Sequence, residues 1–111
     1  AVLFADIVGF TDMREHRPAA EVIDLLREYH ARLGQAVFSH DGTLDKFLGD
    51  GLMATFGTPM TGPEDALNAL RCARAMTVAV DTWNAARRAA GAIDDCGDFP
   101  FTTQAAARTF P

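Results

Sequence analysis

The spacing of apolar positions changes several times along the chain, and each change marks an element. Val2 to Val8 (VLFADIV) is a nearly continuous apolar run with β-branched residues, ending at Gly9, as expected of a strand buried on both faces. Gly9 to His16 is polar and charged and predicts a short helical turn. Arg17-Pro18 then restarts the chain, because proline presets φ for a first helical turn. Between Ala19 and Ser39, Val22, Leu26, Tyr29, Leu33 and Ala36 recur at alternating steps of four and three, which is one face of a helix. His40-Asp41-Gly42 signals a turn. Thr43 to Leu48 and Leu52 to Phe56 are short runs joined by Gly49-Asp50-Gly51, which predicts a β-hairpin. Pro59, Gly62 and Pro63 close that segment, and Glu64 and Asp65 suit the positive end of a new helix dipole. Ala69, Ala73, Met76, Val80 and Trp83 form its buried stripe to about Ala90, and Gly91 permits the left-handed turn that ends a helix.

The order strand, two helices, hairpin, helix is the first two-thirds of a ferredoxin-like α+β sandwich. From Ile93 to Pro111 the pattern is lost: there is no alternation, no helical stripe, and prolines stand at Pro100 and Pro111. The expectation is a partial domain over residues 1–91 whose C-terminal strands are missing or divergent, followed by a divergent or disordered tail over 92–111. The break after Ala90 suggests a truncation or a shifted reading frame.

Composition adds limits. The chain has 111 residues, 49% hydrophobic and 23% charged, enough for one globular domain. A net charge of −5 argues against a nucleic-acid surface. An anionic ligand would therefore need metal ions or backbone dipoles. No apolar run reaches the roughly 20 residues of a membrane span, and no leader pattern is present, so a cytoplasmic chain is expected, with membrane tethering through an upstream region as the alternative. Ala1 to Phe4 already reads as strand interior, which implies that the chain starts inside a larger protein. Cys72 and Cys96 form no metal or redox motif and are expected to be free thiols. His16, His30 and His40 lack ligand spacing and suit structural or surface roles.

Two aspartates carry the candidate chemistry. Asp6 is the one charged residue inside the first apolar strand, where a buried carboxylate needs a cation or strong hydrogen bonds; capping of the following turn is the alternative. Asp50 lies in a Gly-Asp-Gly turn, a place aspartate often occupies for conformational reasons alone. A helical crossover returns the chain to the base of the sheet, so Thr43–Leu48 should run in the same direction as Val2–Val8. The hairpin turn then lies at the Asp6 end. Two carboxylates meeting there would repel unless divalent ions neutralise them, which is the arrangement of two-metal phosphoryl chemistry. Asp41 falls at the opposite end of its strand, and Asp45 is expected to face solvent. Gly9-Phe10-Thr11 opens a helical turn whose N–H groups suit phosphate.

Phe4-Ala5-Asp6-Ile7-Val8-Gly9-Phe10-Thr11 and Lys46-Phe47-Leu48-Gly49-Asp50-Gly51 resemble, in order and in distance, the class III adenylate and guanylate cyclases, bacterial members above all. The resemblance covers Ala1 to about Gly91. It implies that Asp6 and Asp50, with the backbone carbonyl of Ile7, bind two Mg²⁺ or Mn²⁺ ions, and that Gly9, Phe10 and Thr11 hold a triphosphate. Lys46 matches the adenine-reading lysine of adenylate cyclases, where guanylate cyclases carry glutamate, and so implies ATP as substrate and cyclic AMP as product. It further implies a head-to-tail dimer, with Lys46 serving the site whose metals a second cyclase domain holds, and an upstream regulatory domain. A solvent-facing lysine on a hairpin is the plain alternative.

The family's Gly- and His-rich strand and its Asn/Arg helix have no match after residue 91. Asn84 and Arg88 reproduce the Asn-to-Arg spacing on the wrong helix, and Arg108 is no better placed. An adenylate cyclase left incomplete is therefore expected, with a non-catalytic nucleotide-binding or dimerisation module as the alternative. A sheet that binds nucleic acid would need basic and aromatic residues, and no Gly-Gly-Asp/Glu-Glu-Phe loop of a diguanylate cyclase is present.

Overall fold

A computed structural model of the chain describes residues 1–8, 14–48, 51–57, 60–90 and 102–108. Six elements follow in order: β1 (Val2–Val8), α1 (Ala19–Ser39), β2 (Gly42–Leu48), β3 (Gly51–Phe56), α2 (Asp65–Ala89) and β4 (Thr102–Arg108). The four strands form one sheet in the order β2-β3-β1-β4. Since β1 and β2 are each antiparallel to β3, they run in the same direction, as the crossover argument requires.

Both helices cover the same face of the sheet. Leu3, Ala5 and Ile7 of β1 and Leu52, Ala54 and Phe56 of β3 are buried beneath them. The register pairs Leu3 with Ala54 and Ala5 with Leu52, so the inward residues of neighbouring strands meet. A slip of one residue would turn Leu3 and Leu52 outward at a cost of about 2 kcal/mol each, so burial specifies the register. Val22, Leu25, Tyr29, Leu33, Ala36 and Val37 of α1 complete the core with Ala69, Cys72, Met76, Val80 and Trp83 of α2. The expected Leu26 and Ala73 pack at its margin.

The helix ends follow local chemistry. Pro18 precedes α1 at the capping position, and its carbonyl accepts the Val22 amide at 3.1 Å. Before α2, the Asp65 carboxylate turns back to accept the Gly62 amide at 2.8 Å. His40 ends α1 with its Nδ1 2.8 Å from the Ala36 carbonyl, and Asp41 adopts φ 61° in the turn that follows. The α1–α2 contact is closed by Trp83, 4% exposed, with the Arg32 and Arg87 guanidinium groups 4.9 and 5.2 Å from the ring centre.

Two features depart from the sequence reading. First, β1 is covered on one face only: Phe4 is 44% exposed and Asp6 is exposed, so the strand is not buried on both sides. Second, the unpatterned tail contains β4, whose seven residues pair with β1 from Val2–Arg108 to Val8–Thr102. Its sequence, TTQAAAR, has weak strand preference; the free edge of the central strand supplies the backbone partners instead. With β4 in place, the sheet has the fourth strand of a ferredoxin-like βαββαβ order. Gly91 and Cys96 lie outside the described residues.

Candidate active site

The uncovered face of the sheet holds the described part of the predicted site. Asp6 projects there from the C-terminal end of β1, because alternation sends Ala5 and Ile7 inward to the core. Its Oδ1 accepts the amide of Ile7 at 2.8 Å, which fixes the carboxylate beside the peptide that follows it. The buried Ile7 side chain, 4% exposed, anchors that peptide from the opposite face. The premise that Asp6 is a buried charge is thus corrected: its carboxylate is accessible to a ligand without opening the core.

Gly51 begins β3 directly against this point. A Cβ built on Gly51 would overlap the Ala5 carbonyl oxygen and stand 3.4 Å from the Asp6 Cα. Only glycine allows the hairpin backbone so close to the Asp6 backbone. Sequence reading treated Gly51 as an ordinary turn residue and missed this contact. Asp50, Gly9, Phe10 and Thr11 lie outside the described residues; Asp50 is the residue bonded to Gly51.

Lys46 reaches the same face through an irregularity. Leu44 pairs with Ala54 and Lys46 with Met53, so Asp45 is the extra residue of a β-bulge. Without the bulge, strict alternation would place Lys46 on the core side with Leu44. With it, Lys46 lies opposite the outward Met53, whose partner on the other side is the outward Phe4, while Phe47 pairs with the inward Leu52. The ammonium stands 3.7 Å from the Asp45 carboxylate, both side chains being substantially exposed, at 56% and 43%. An exposed pair of this kind contributes little to stability and leaves the lysine available. Since β3 separates β1 from β2, Asp6 and Lys46 are about 10 Å apart across the sheet and further along the diagonal. The arrangement does not bring their charged ends together.

The donors described here are a carboxylate and a backbone carbonyl, hard oxygen ligands that suit Mg²⁺ or Mn²⁺. Among the described residues no group of three or more His, Cys, Asp or Glu side chains converges to hold an ion. Asp6 is thus the described member of the expected pair. His30 is engaged elsewhere, its ring 4.3 Å from that of Phe47 on the helix side of β2. Cys72 lies fully buried in the core, where burial pushes its thiol from 9.0 up to about 11.

A four-stranded sheet in the order β2-β3-β1-β4 with both helices on one face is the fold of nucleotidyl cyclase catalytic domains. The family model for the adenylate and guanylate cyclase catalytic domain matches residues 1–92, and the chain belongs to that family. Adenylate cyclase 1 of Rhizobium meliloti is 37% identical over 89 residues, which are 80% of this chain and 13% of that protein. Among solved structures, the adenylyl cyclase CyaB from P. aeruginosa superposes with a TM-score of 0.82 at 32% identity, covering 94% of this chain and 52% of that one. The guanylyl cyclase Cya2 gives 0.81 at 30% identity, covering 94% and 50%. The chain therefore spans about half of these catalytic structures and a small part of the curated relative. An adenylyl and a guanylyl cyclase fit almost equally, so the backbone does not discriminate ATP from GTP.

Proposed function

We propose that the chain is the metal-binding half of an adenylate cyclase catalytic domain, which converts ATP to 3′,5′-cyclic AMP and pyrophosphate at a dimer interface. The observation that carries this reading is the bulge at Asp45, which turns Lys46 onto the open face that also bears Asp6. A lysine ammonium donates to acceptor atoms and repels donors, so it suits the adenine ring and disfavours the N–H groups of guanine.

Asp6, the Ile7 carbonyl and Asp50 would hold two Mg²⁺ or Mn²⁺ ions, and Gly9, Phe10 and Thr11 would receive the triphosphate on backbone N–H groups. Two bound ions supply a lowered pKa for the ribose 3′-hydroxyl and neutralise the departing pyrophosphate. Asp6 would orient its carboxylate through the Ile7 amide bond, without rearrangement when the ligand arrives. Gly51 holds the start of β3 against the end of β1, and Asp50, the residue before it in sequence, would complete the ligand set there. The separation of Asp6 and Lys46 favours a shared site, in which Lys46 reads the purine whose phosphates a second domain holds. The isolated chain is then inactive, and a second cyclase domain is its necessary partner.

The test is cyclic nucleotide formation with Mn²⁺ by this chain alone, and by this chain mixed with an intact cyclase domain whose adenine-reading lysine has been removed. Lys46 should restore cyclic AMP synthesis in the mixture. Lys46→Glu should fail with ATP and raise the GTP rate relative to it by at least about tenfold, the size of one exchanged charge-assisted hydrogen bond. Activity of the isolated chain, or a mixture indifferent to Lys46→Glu, would reject the reading.

A further inference from the structure

The middle of α2 is too apolar for a helix with one side in water. From Ala66 to Val80 its only charged residues are Arg71 and Arg74. At 100° per residue, Leu67, Leu70, Arg71, Arg74 and Val78 fall within about 100° of arc, opposite the buried Ala69, Cys72, Met76 and Val80. Leu67, Leu70 and Val78 are 44%, 60% and 56% exposed. A helix that is apolar on both faces belongs in an interior or beneath a partner.

The charges identify what covers it. Arg71 and Arg74 are exposed, and among the described residues no ion pair or hydrogen bond holds either guanidinium. With His40 from the end of α1 they border a shallow cleft of about 470 Å³, floored by Ala75 and Ala79. The cleft meets the stripe at Arg71, Arg74 and Val78, and the stripe from Leu67 to Val78 is roughly 16 Å long, three turns of a helix laid beside it. An anionic membrane, which presents a broad flat surface, is disfavoured by the concavity.

We propose that the outward face of α2 docks an acidic amphipathic helix of a partner protein, its carboxylates meeting Arg71 and Arg74 and its apolar residues covering Leu67, Leu70 and Val78. The face lies on the far side of the helices from the candidate active site, so it provides a place for control without blocking nucleotide. It does not depend on the assignment of ATP.

The experiment uses the 111-residue chain and two fluorescein-labelled helical peptides of about 18 residues. Both carry leucines at steps of three and four; one flanks them with glutamate, the other with lysine. Anisotropy should show the glutamate peptide binding at least about tenfold tighter, with the preference weakening in high salt. Arg71→Glu combined with Arg74→Glu should reverse the preference, with an unchanged circular dichroism spectrum, since both side chains are exposed. Equal binding of both peptides, no binding, a preference that survives the double exchange, or tighter partition onto phosphatidylserine vesicles than onto the glutamate peptide would overturn the proposal.

Discussion

Replacing Gly51 with alanine should separate the requirement for a close backbone approach from the general cost of altering a strand. The added Cβ would overlap the Ala5 carbonyl oxygen, a backbone atom that cannot rotate aside, and would press on the Asp6 Cα at 3.4 Å. Relief requires β1 and β3 to part by on the order of 1 Å at the Ala5–Leu52 pair. Overpacking of this kind costs about 1–3 kcal/mol. In urea that is a midpoint shift of about 0.7–2 M for a domain with a slope near 1.5 kcal/mol/M. Gly34→Ala is the control: nothing lies within 4 Å of its added Cβ, and glycine in a helix interior is less favourable than alanine by about 1 kcal/mol. The two identical chemical changes should therefore move the midpoint in opposite directions. The single tryptophan, Trp83, reports unfolding by fluorescence from its buried place between the helices. A Gly51→Ala chain with the stability of the parent would refute the close approach of hairpin and strand on which the proposed site depends.

Asp6→Ala should abolish Mn²⁺-dependent ATP binding in calorimetry while changing stability by no more than about 0.5 kcal/mol, because the side chain is exposed; a large loss of stability would mean the aspartate is structural. Cys72, raised to about 11, should be roughly a thousandth thiolate at pH 8 and react with a thiol reagent only as the chain unfolds. Because the folded state holds that proton more tightly, its contribution to stability is present below pH 9 and is lost as pH rises from 9 to about 11. Cys72→Ala should flatten stability against pH in that window, and an unchanged slope would contradict the assignment. Arg87→Met, which keeps most of the aliphatic contact over Trp83 but removes the cation, should lower stability by about 0.5–1 kcal/mol in the same urea assay.

How much of this was legible beforehand depended on whether a feature is local. The helical faces at Val22, Tyr29 and Leu33 and at Ala69, Met76 and Val80 declare themselves by period, since burial on one side leaves that mark on composition. The matching direction of β1 and β2 followed from connectivity alone. Phe4 was misread because an apolar run does not say which of its residues another element covers, and here the helices occupy one face. β4 was invisible: alanines carry no strand signature, and its place was set by the unpaired edge of β1, a property of the fold and not of residues 102–108. For the candidate site, Asp6 stood out as the one charge in an apolar strand, and Lys46 through the family motif. The reason they share a face was hidden, because a bulge arises from pairing between two strands and leaves no distinct trace in Thr-Leu-Asp-Lys-Phe-Leu beyond an aspartate poorly suited to a strand.

That bulge changes how substrate choice can evolve. If Lys46 reads the purine, the discriminating group is set by two independent variables: which residue follows Asp45, and how many residues separate it from the hairpin turn. A codon lost between Lys46 and that turn would leave lysine in the gene yet pair it with the inward Leu52, rotated into the oily interior, whereas a codon lost between Thr43 and Asp45 would only remove the bulge. Libraries that vary only side-chain identity would explore one axis of this selectivity. Libraries that also vary strand length by a single residue would explore the other.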